Sequence, residues 1–424
     1  MGHANSGDTI VLRGGRYREG RDVRVRRSGI TIKSAQNEWA VIDLTTYNSG
    51  HSDDSGVEFY CEDELLGSGS IVQNCKLQSL EVMGGFYAVG FETKLQWGQP
   101  DKRGASNIII EDCVLHHSKN DVVKVKPNCD NITIRYNEIH HSGRAYNGGR
   151  LNGEDNSEGI DNVNGDNMHV HHNYIHDICS TGVYAKGGAT GAIIENNRIE
   201  RAYGAGIMVG FDTSPEFFDL TVNPLYYENI NGIARNNLII NTGWEGIGIY
   251  SAQNPTVNNN TLVNVDNGPG NWHSAIYFGI PTQDENTHYG RPATTGANIH
   301  HNIVSQPNTN TRPMIEIRYI ASLQLTDVDN SGNVIATRTE TNLLALSGTL
   351  TMNNNCYYIA GGIPATFHDI RPTEWSGGFA GWTTRISGDT SSIEANPVLD
   401  GNYMATYSGC TSTSPVMGIT VPLN

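Results

Sequence analysis

Acidic residues, lysines and a tyrosine recur at matching positions of neighbouring segments between residues 121 and 186. Lys124 and Tyr184 each lie eleven residues after a repeated Cys or Asn, and matching the segment EGIDNV to DVVKVK aligns Asp161 with Lys124. If these segments are strands, their alternation turns the matching positions outward and places them on one face. The residues on this face are Asp121, Lys124, Lys126, Glu158, Asp161, Tyr184 and Lys186.

Carboxylates, lysines and tyrosines on one face are the groups that acid and base catalysis requires. Two insertions add binding groups: the loop 142–157 contains Arg144 and Arg150, and residues 211–227 contain several aromatic rings. Arg binds carboxylates through paired hydrogen bonds, and aromatic rings offer flat apolar faces to sugars. A long cleft for a linear acidic polysaccharide fits these residues better than a small-molecule pocket. The alternative is an exposed strand face whose Lys and Asp pairs serve solubility.

The elements that position this face follow a repeat. Eight tetrads share an apolar residue, two polar residues and then Asn, with Cys in place of Asn in the first tetrad. Their minimal spacing of 23 to 24 residues is typical of one coil of a β-solenoid. Asn at one repeated corner predicts an internal ladder, because its amide donates to and accepts from the Asn one coil away. The tetrads end at Cys113, Asn137, Asn173, Asn197, Asn237, Asn260, Asn302 and Asn355.

These repeats predict an all-β fold, a single-domain right-handed parallel β-helix with loop insertions over residues 1–424. Residues 1–33 are expected to form the first coil and the N-terminal cap. Residues 305–424 are less periodic, and we expect less regular coils and a C-terminal cap there. Beyond the candidate face, the same outward positions become small or apolar, as at Met208 and Gly248.

Charge and hydropathy exclude several classes of function. The 44 acidic and 28 basic residues leave a net charge of −16, which disfavours a nucleic-acid binder that gains affinity by neutralising phosphates. No segment approaches the roughly 20 apolar residues of a membrane span, and the start MGHANSGD has no hydrophobic signal core. We expect a monomer that binds neither nucleic acid nor membrane, with any signal peptide absent from this chain.

The first coil carries a family resemblance. GDTIVLRGGRYREG leads into an SGITI strand, as in many β-helix polysaccharide-degrading enzymes. With the Asn ladder and the candidate face, the sequence resembles the right-handed β-helix polysaccharide lyases, most of all the alginate lyases of polysaccharide lyase family 31. That family uses a Lys and a Tyr on opposite sides of the cleft, and the segments NDVVKVK and GGFYAVGF would supply Lys124 and Tyr87. Tyr184, in the Lys124 column itself, is the other candidate tyrosine.

The resemblance implies a secreted or extracellular lyase that cleaves a uronic-acid polymer, with alginate the expected substrate, by β-elimination. A base removes the C5 proton beside the carboxylate, an acid protonates the departing O4, and the carboxylate must be neutralised. Lys124 is the base only where part of its population is neutral, which Lys126 favours and Asp161 opposes. A Tyr supplies the acid and, for syn geometry, also the base.

The uronate carboxylate could be neutralised in two ways. Cations could act directly, and the candidates are Arg144, Arg150 and Lys186. Alternatively, an acidic cluster could hold Ca²⁺, as in related calcium-dependent β-helix lyases, and the candidates are Asp121, Glu158 and Asp161. We expect no cofactor, because Lys124 lies among those acids and repels a cation. The predicted substrate-binding residues are therefore Asp121, Lys126, Arg144, Arg150, Glu158, Asp161 and Lys186.

Two other functions fit the same residues. A glycoside hydrolase needs two carboxylates flanking the scissile bond, and Glu158 and Asp161 are available. That function leaves Lys124, Lys186 and both candidate tyrosines without a role. A non-catalytic polysaccharide-binding β-helix is the third alternative.

Overall fold

The computed structural model describes residues 4–18, 20–45, 55–60, 71–93, 104–143, 156–268, 273–282, 290–328 and 334–423. The strands in these ranges form long parallel sheets. The chain forms two compact units, Met1–Tyr184 with Ala192–Gly204, and Ala185–Gly191 with Ala205–Asn424. Each unit contains three parallel sheets, called A, B and C, so the predicted all-β parallel architecture is confirmed. That residues 1–424 fold as a single domain stays a prediction.

In the first unit each coil contributes one short strand to sheet A and one to sheet B, and all coils but the last also contribute one to sheet C. Sheet A contains β1 (Thr9–Leu12), β4 (Thr31–Ser34), β7 (Lys76–Gln78), β10 (Ile108–Glu111), β13 (Ile132–Arg135), β16 (His169–His171) and β20 (Ile193–Glu195). Sheet B contains β2 (Gly15–Tyr17), β5 (Ala40–Leu44), β8 (Glu81–Gly84), β11 (Val114–His116), β14 (Glu138–His140), β17 (Tyr174–Ile178) and β21 (Arg198–Ala202). Sheet C contains β3 (Val23–Val25), β6 (Val57–Phe59), β9 (Val89–Phe91), β12 (Val123–Val125), β15 (Ile160–Val163) and β18 (Val183–Lys186), whose last two residues belong to the second unit.

The second unit has the same three-sheet arrangement. Its sheet A contains β24 (Ile233–Arg235), β28 (Thr256–Asn258), β31 (Ala297–His300) and β36 (Leu350–Asn353). Its sheet B contains β25 (Leu238–Ile240), β29 (Thr261–Val263), β32 (Ile303–Gln306), β37 (Cys356–Ile359) and β40 (Ile393–Glu394). Its sheet C contains β22 (Ile207–Val209), β26 (Ile247–Tyr250), β30 (Ile276–Gly279), β33 (Ile315–Ile317), β38 (Thr366–Asp369) and β39 (Trp375–Gly378). The last strand, β39, is antiparallel to β38, whereas the other strands are parallel. A small sheet contains β19 (Ala189–Thr190), β23 (Asn229–Ile230) and β27 (Ala252–Gln253).

The corner between sheets A and B explains the tetrads. The third tetrad residue is always in the left-handed backbone region, with φ between 52° and 58°. Asn, Asp and His adopt this region more readily than most residues, which accounts for much of the polar composition of the tetrads. These residues are Asp112, Tyr136, His172, Asn196, Asn236, Asn259, His301 and Asn354.

The residue after each left-handed corner forms the predicted internal ladder. In the first unit, Asn173 Oδ1 accepts hydrogen bonds from the backbone N–H and the side-chain amide of Asn137, both at 3.0 Å. Asn197 Oδ1 accepts the equivalent pair from Asn173, at 3.0 and 2.9 Å. The second unit repeats the pattern from Asn260 to Asn302. These side chains are buried, so the ladder satisfies polar groups that water does not reach.

The C-terminal part contains elements that the periodicity does not predict. An antiparallel hairpin of β34 (Tyr319–Val328) and β35 (Val334–Leu344) extends from sheet C. Two short helices follow, α1 (Phe379–Ile386) and α2 (Ser408–Thr411), and 3₁₀ turns lie at Pro215–Phe217 and Ala360–Gly362.

The C-terminal tail packs along sheet B of the second unit. Ile419 packs with Leu238 and Val263, while Met417 and Cys410 pack with neighbouring sheet B residues. The tail therefore covers sheet B of the second unit. It belongs to residues 305–424, for which the sequence predicts less regular coils and a C-terminal cap. No helix in the described part of the chain is both long and apolar enough to cross a membrane.

Candidate active site

Sheet C of the first unit aligns charged residues from successive coils on its outward face. Lys124 lies directly opposite Asp161 on the next strand, as the sequence alignment predicts. On the other side Lys124 lies opposite Gly90, which in turn lies opposite Glu58. Because neighbouring strands are about 4.8 Å apart, these coils can present their side chains to one ligand.

Two buried aspartates hold the Lys124 ammonium group. Its Nζ contacts Asp161 Oδ2 directly and lies 3.2 Å from Asp121 Oδ2. Burial by itself would lower the pKa of Lys124, but the charges of Asp161 and Asp121 outweigh burial and hold this pKa well above its usual value. Lys124 is therefore an ammonium at neutral pH. The sequence left open whether Asp161 or Lys126 has the larger effect on the pKa of Lys124, and the structure shows the effect of Asp161. This protonation state disfavours Lys124 as the base.

Three carboxylates converge beside Lys124. Asp121, Glu158 and Asp161 are each at most 1% exposed, and each offers an oxygen within 4.8 Å of the other two. Asp121 Oδ1 also accepts the backbone N–H of Glu158 at 2.9 Å, which fixes the spacing between adjacent coils. Such an oxygen-rich group has the ligand chemistry that Ca²⁺ prefers, but the Lys124 ammonium already contacts two of its members.

Tyr87 lies beside both lysines of the face. Its ring centroid is 5.9 Å from Nζ of Lys124 and 5.9 Å from Nζ of Lys126. Lys126 is itself paired with Glu92 at 2.8 Å. The structure thus brings the predicted Tyr87 next to the predicted Lys124, and Tyr87 is only 6% exposed. We call Tyr87, Asp121, Lys124, Lys126, Glu158 and Asp161 the Lys124 cluster.

Tyr184 occupies the Lys124 column, one coil beyond Asp161. The backbone N–H of Ile160 donates to Gly182 O at 3.0 Å, and this parallel pattern places Tyr184 opposite Asp161. The Tyr184 side chain is buried.

The remaining predicted cations are placed differently. Lys186 belongs to the second unit, where its Nζ lies 5.7 Å from the ring centroid of Phe211. Arg144 and Arg150 lie outside the described residues. Their predicted roles in binding the substrate carboxylate stay predictions.

Glu58 and Glu92 are charged residues of the same sheet that the sequence analysis missed. Glu58 is 4% exposed and pairs with Arg24 at 2.8 Å. Burial, and then the charge of Glu92, raise the pKa of Glu58 to about 8, with Arg24 opposing them. The tetrads that reveal the face begin at residue 110, so the column count does not reach these earlier coils.

The outward face of sheet C in the second unit corrects another expectation. It is small or apolar at Met208 and Gly248, but the column then continues through Tyr277, Glu316 and His368. The column counted from the sequence ends at Gly248, because long insertions separate the later coils.

An acid–base pair of a half-buried histidine and a buried glutamate lies beside this column. His273 Nδ1 lies 2.7 Å from Glu245 Oε2, and its ring stacks on Trp244 with centroids 5.1 Å apart. Glu245 also accepts a hydrogen bond from the Tyr250 hydroxyl at 3.0 Å. Burial opposes the charge of His273, but Glu245 overcomes it and raises the pKa of His273. The second unit therefore holds a polar group of its own.

Comparison with known proteins identifies the architecture. A sequence-family model described as "Right handed beta helix region" matches residues 102–280. With the parallel sheets described above, this match confirms a right-handed parallel β-helix. No curated protein matches the chain by sequence.

Several solved structures share parts of this architecture. A pectate lyase, Pel9A, is 14% identical over 74% of this chain and 71% of its own, with a TM-score of 0.46. An alginate lyase from Paenibacillus sp. str. FPU-7 is 14% identical over 70% of this chain and 90% of its own, with a TM-score of 0.45. The A-module of the mannuronan C-5 epimerase AlgE6 from Azotobacter vinelandii is 15% identical over 83% of this chain and 77% of its own, with a TM-score of 0.48. Membership of the family 31 alginate lyases stays a prediction.

Proposed function

We propose that the protein is a secreted polysaccharide lyase that cleaves a uronic-acid polymer, with alginate the expected substrate, by β-elimination at the Lys124 cluster. The proposal rests on one observation. On the outward face of the β-helix, the ring centroid of Tyr87 lies 5.9 Å from Nζ of Lys124 and 5.9 Å from Nζ of Lys126. A tyrosine supplies the proton transfers of an elimination, and cations stabilise the anionic state that forms at C5.

Tyr87 is the proposed proton-transfer group. Its ring lies beside the Lys124 ammonium, and a neighbouring positive charge stabilises a phenolate, which is the form of tyrosine that accepts a proton. Tyr87 then takes the C5 proton, the C4–O4 bond breaks, and the phenol returns the proton to the departing O4. This syn route needs no neutral lysine.

Cations of the site are proposed to neutralise the substrate carboxylate. Lys126 is 20% exposed, more than the 14% of Lys124, and can turn from Glu92 toward a bound uronate. Arg144, Arg150 and Lys186 are proposed to bind further carboxylates along the polymer, because the guanidinium fork and the ammonium both pair with carboxylates.

The cluster is proposed to work without a metal. The carboxylates of Asp121, Glu158 and Asp161 would suit Ca²⁺ as ligands, and a bound ion there would neutralise a substrate carboxylate. However, Lys124 already supplies a positive charge in contact with two of them. In the proposed enzyme these acids therefore orient Lys124 and keep it charged.

Glu58 supports a second candidate function. A carboxyl group with a pKa of about 8 keeps its proton at neutral pH, as the general acid of a glycoside hydrolase must. Glu92, close enough to raise that pKa, would be the partner carboxylate. The pair predicted from the sequence, Glu158 and Asp161, fits this role less well, because Lys124 contacts Asp161 directly and occupies one of its carboxylate oxygens.

Product analysis separates these functions. The protein is incubated with alginate, pectate, polyglucuronate and a neutral glucan, and the products are examined by ultraviolet absorbance and mass spectrometry. A lyase yields products that carry an unsaturated uronate and no added water. Products that have gained water and show no unsaturation would indicate the hydrolase instead. Binding of a polymer without any cleavage would contradict both and indicate a non-catalytic β-helix.

A further inference from the structure

A row of histidines lies on sheet B of the first unit, apart from the Lys124 cluster. His116, His140 and His176 lie opposite one another on three successive strands. Their rings stack, with centroid separations of 4.6 Å and 5.0 Å along the row. The residue after each is in the left-handed backbone region, with φ between 53° and 57°, and two of these three residues are His117 and His141.

The left-handed turn brings each neighbouring pair of rings face to edge. The Nδ1 atoms of His116 and His117 are 2.5 Å apart, and those of His140 and His141 are 2.6 Å apart. His117 and His141 also stack on each other, with centroids 4.8 Å apart. Ring nitrogens of His116, His117 and His140 all lie within 4.8 Å of one another. Imidazole nitrogens thus converge from two coils.

Carboxylates hold the far nitrogen of two rings in the row. His116 Nε2 lies 3.1 Å from Glu81 Oε1, and His176 Nε2 lies 3.1 Å from Glu138 Oε1. At His116 the carboxylate accepts a hydrogen bond from Nε2–H, which leaves the Nδ1 lone pair directed at the His117 ring. At His176, Nδ1 instead faces Asp177 Oδ2 at 2.7 Å. The same carboxylate–histidine arrangement orients the histidines of metal sites.

We propose that His116, His117 and His140, whose ring nitrogens lie within 4.8 Å of one another, form a binding site for a divalent transition metal ion of the zinc class. Two nitrogens that share a zinc ion at bonds of about 2.0 Å lie about 3.3 Å apart, so the His116–His117 pair would open by about 0.8 Å and His140 would move toward it. Imidazole is the ligand type that zinc, nickel and copper prefer over calcium and magnesium. The ion would tie two adjacent coils together at this corner.

Other histidine pairs of the chain provide a matched control. His300 and His301 also place their Nδ1 atoms close together, at 2.8 Å. His300, however, lies opposite Asn258 and Asn353 on the adjacent strands. This pair therefore has the same local turn without a second pair of rings in the next coil, and it should bind zinc weakly.

Calorimetric titration of the intact, EDTA-dialysed protein with zinc chloride tests the proposal. The wild type is expected to bind one zinc ion per chain, and the double variant His117→Ala, His140→Ala to bind at least about tenfold more weakly, because it loses two of the three ligands. The double variant His300→Ala, His301→Ala should bind as the wild type does. Absence of saturable binding to the wild type, or equal loss in both double variants, would overturn the proposal.

A second variant keeps the test decisive if the first double variant does not fold. Glu81→Gln leaves every ring in place and changes only the carboxylate on His116 Nε2. Such outer partners typically contribute about 10 to 100-fold in metal affinity, so a loss of that size is expected. Unchanged zinc affinity in a folded Glu81→Gln protein would contradict the assignment.

Discussion

The two aspartates in contact with Lys124 keep its side chain charged although it is largely buried. This charge limits the chemical roles that Lys124 can have in the site. A lysine with a raised pKa stabilises anions and does not accept protons at neutral pH. In the proposed lyase the proton transfers therefore fall to a tyrosine, and Tyr87 lies beside Lys124. Under the same proposal, Asp121 and Asp161 are positioning residues that act through Lys124.

Replacing Tyr87 tests this division of roles. Tyr87→Phe keeps the ring and removes only the hydroxyl, so the elimination rate should fall by about 10² to 10⁴ while the fold is kept. Tyr184→Phe is the matched control, because Tyr184 is buried on the same face and is expected to lose much less activity. Steady-state rates and circular dichroism of both variants provide the measurement. A large loss in Tyr184→Phe alone would assign the chemistry to Tyr184.

Glu58 gives the folded protein a pH dependence. Its pKa is raised from the usual 4.5 to about 8, so the folded state binds this proton more tightly than the unfolded state does. Its contribution to stability is therefore present below about pH 4.5 and is lost as the pH rises through about 8. Glu58→Gln should remove this loss, which amounts to roughly 2 to 5 kcal/mol at about 1.4 kcal/mol per pKa unit.

Urea unfolding at pH 5, 7 and 9 measures the effect. The control is Glu216→Gln, which changes an exposed carboxylate and should leave the pH dependence as it is. If wild type and Glu58→Gln lose the same stability between pH 5 and pH 9, then Glu58 does not hold its proton in the folded protein.

Column counting from the tetrads identifies side chains that lie close together, but not their charge states. It pairs Asp161 with Lys124 because strand registers follow from the repeat. It could not decide between Asp161 and Lys126 as the dominant influence on Lys124, since that depends on distances of a few ångströms and on burial. It also misses Glu58 and Glu92, because their coils precede the first tetrad.

At the scale of elements, the Asn ladder fixes the register of the coils. Asn173 accepts two hydrogen bonds from Asn137 and donates to Asn197 and to Ile134 O. Asn173→Leu leaves these buried groups unsatisfied, and we expect a loss of roughly 1 to 3 kcal/mol in the free energy of unfolding. Thr133→Leu, on the outward face of the coil before, should change it by no more than about 0.5 kcal/mol. Chemical denaturation of both variants checks this, and equal stabilities would argue against the ladder.

The elements of the regular coils follow from the sequence, and the irregular ones do not. Each tetrad predicts a strand and a corner that carries the ladder Asn, because both depend on local residue types, and the structure adds that the residue before this Asn is left-handed. The hairpin of β34 and β35 has no counterpart in the repeat. The tail around Ile419 packs against residues more than 150 positions earlier in the chain, and such distant contacts leave no local pattern.

The net charge of the whole molecule opposes binding of the proposed substrate. The chain carries a net charge of −16, yet the proposed polymer is itself anionic, so local cations must bind it.

We expect elimination activity to persist in EDTA, because Lys124 provides the positive charge of the cluster. Rate measurements with and without EDTA, and after addition of Ca²⁺, check this. Complete loss in EDTA that Ca²⁺ restores, and Zn²⁺ does not, would show that Asp121, Glu158 and Asp161 hold calcium.

The elimination rate of a Lys124 variant on the cleaved uronate polymer tests the central claim most directly. Lys124→Met keeps the length of the side chain and removes its charge, and Lys33→Met makes the same change on sheet A, away from the cluster. If the Lys124 cluster is the active site, the unsaturated product should form about 10² to 10⁴ times more slowly in Lys124→Met and at the wild-type rate in Lys33→Met, with both variants folded. Near-normal product formation by folded Lys124→Met would place the chemistry elsewhere and contradict the proposed function of the cluster.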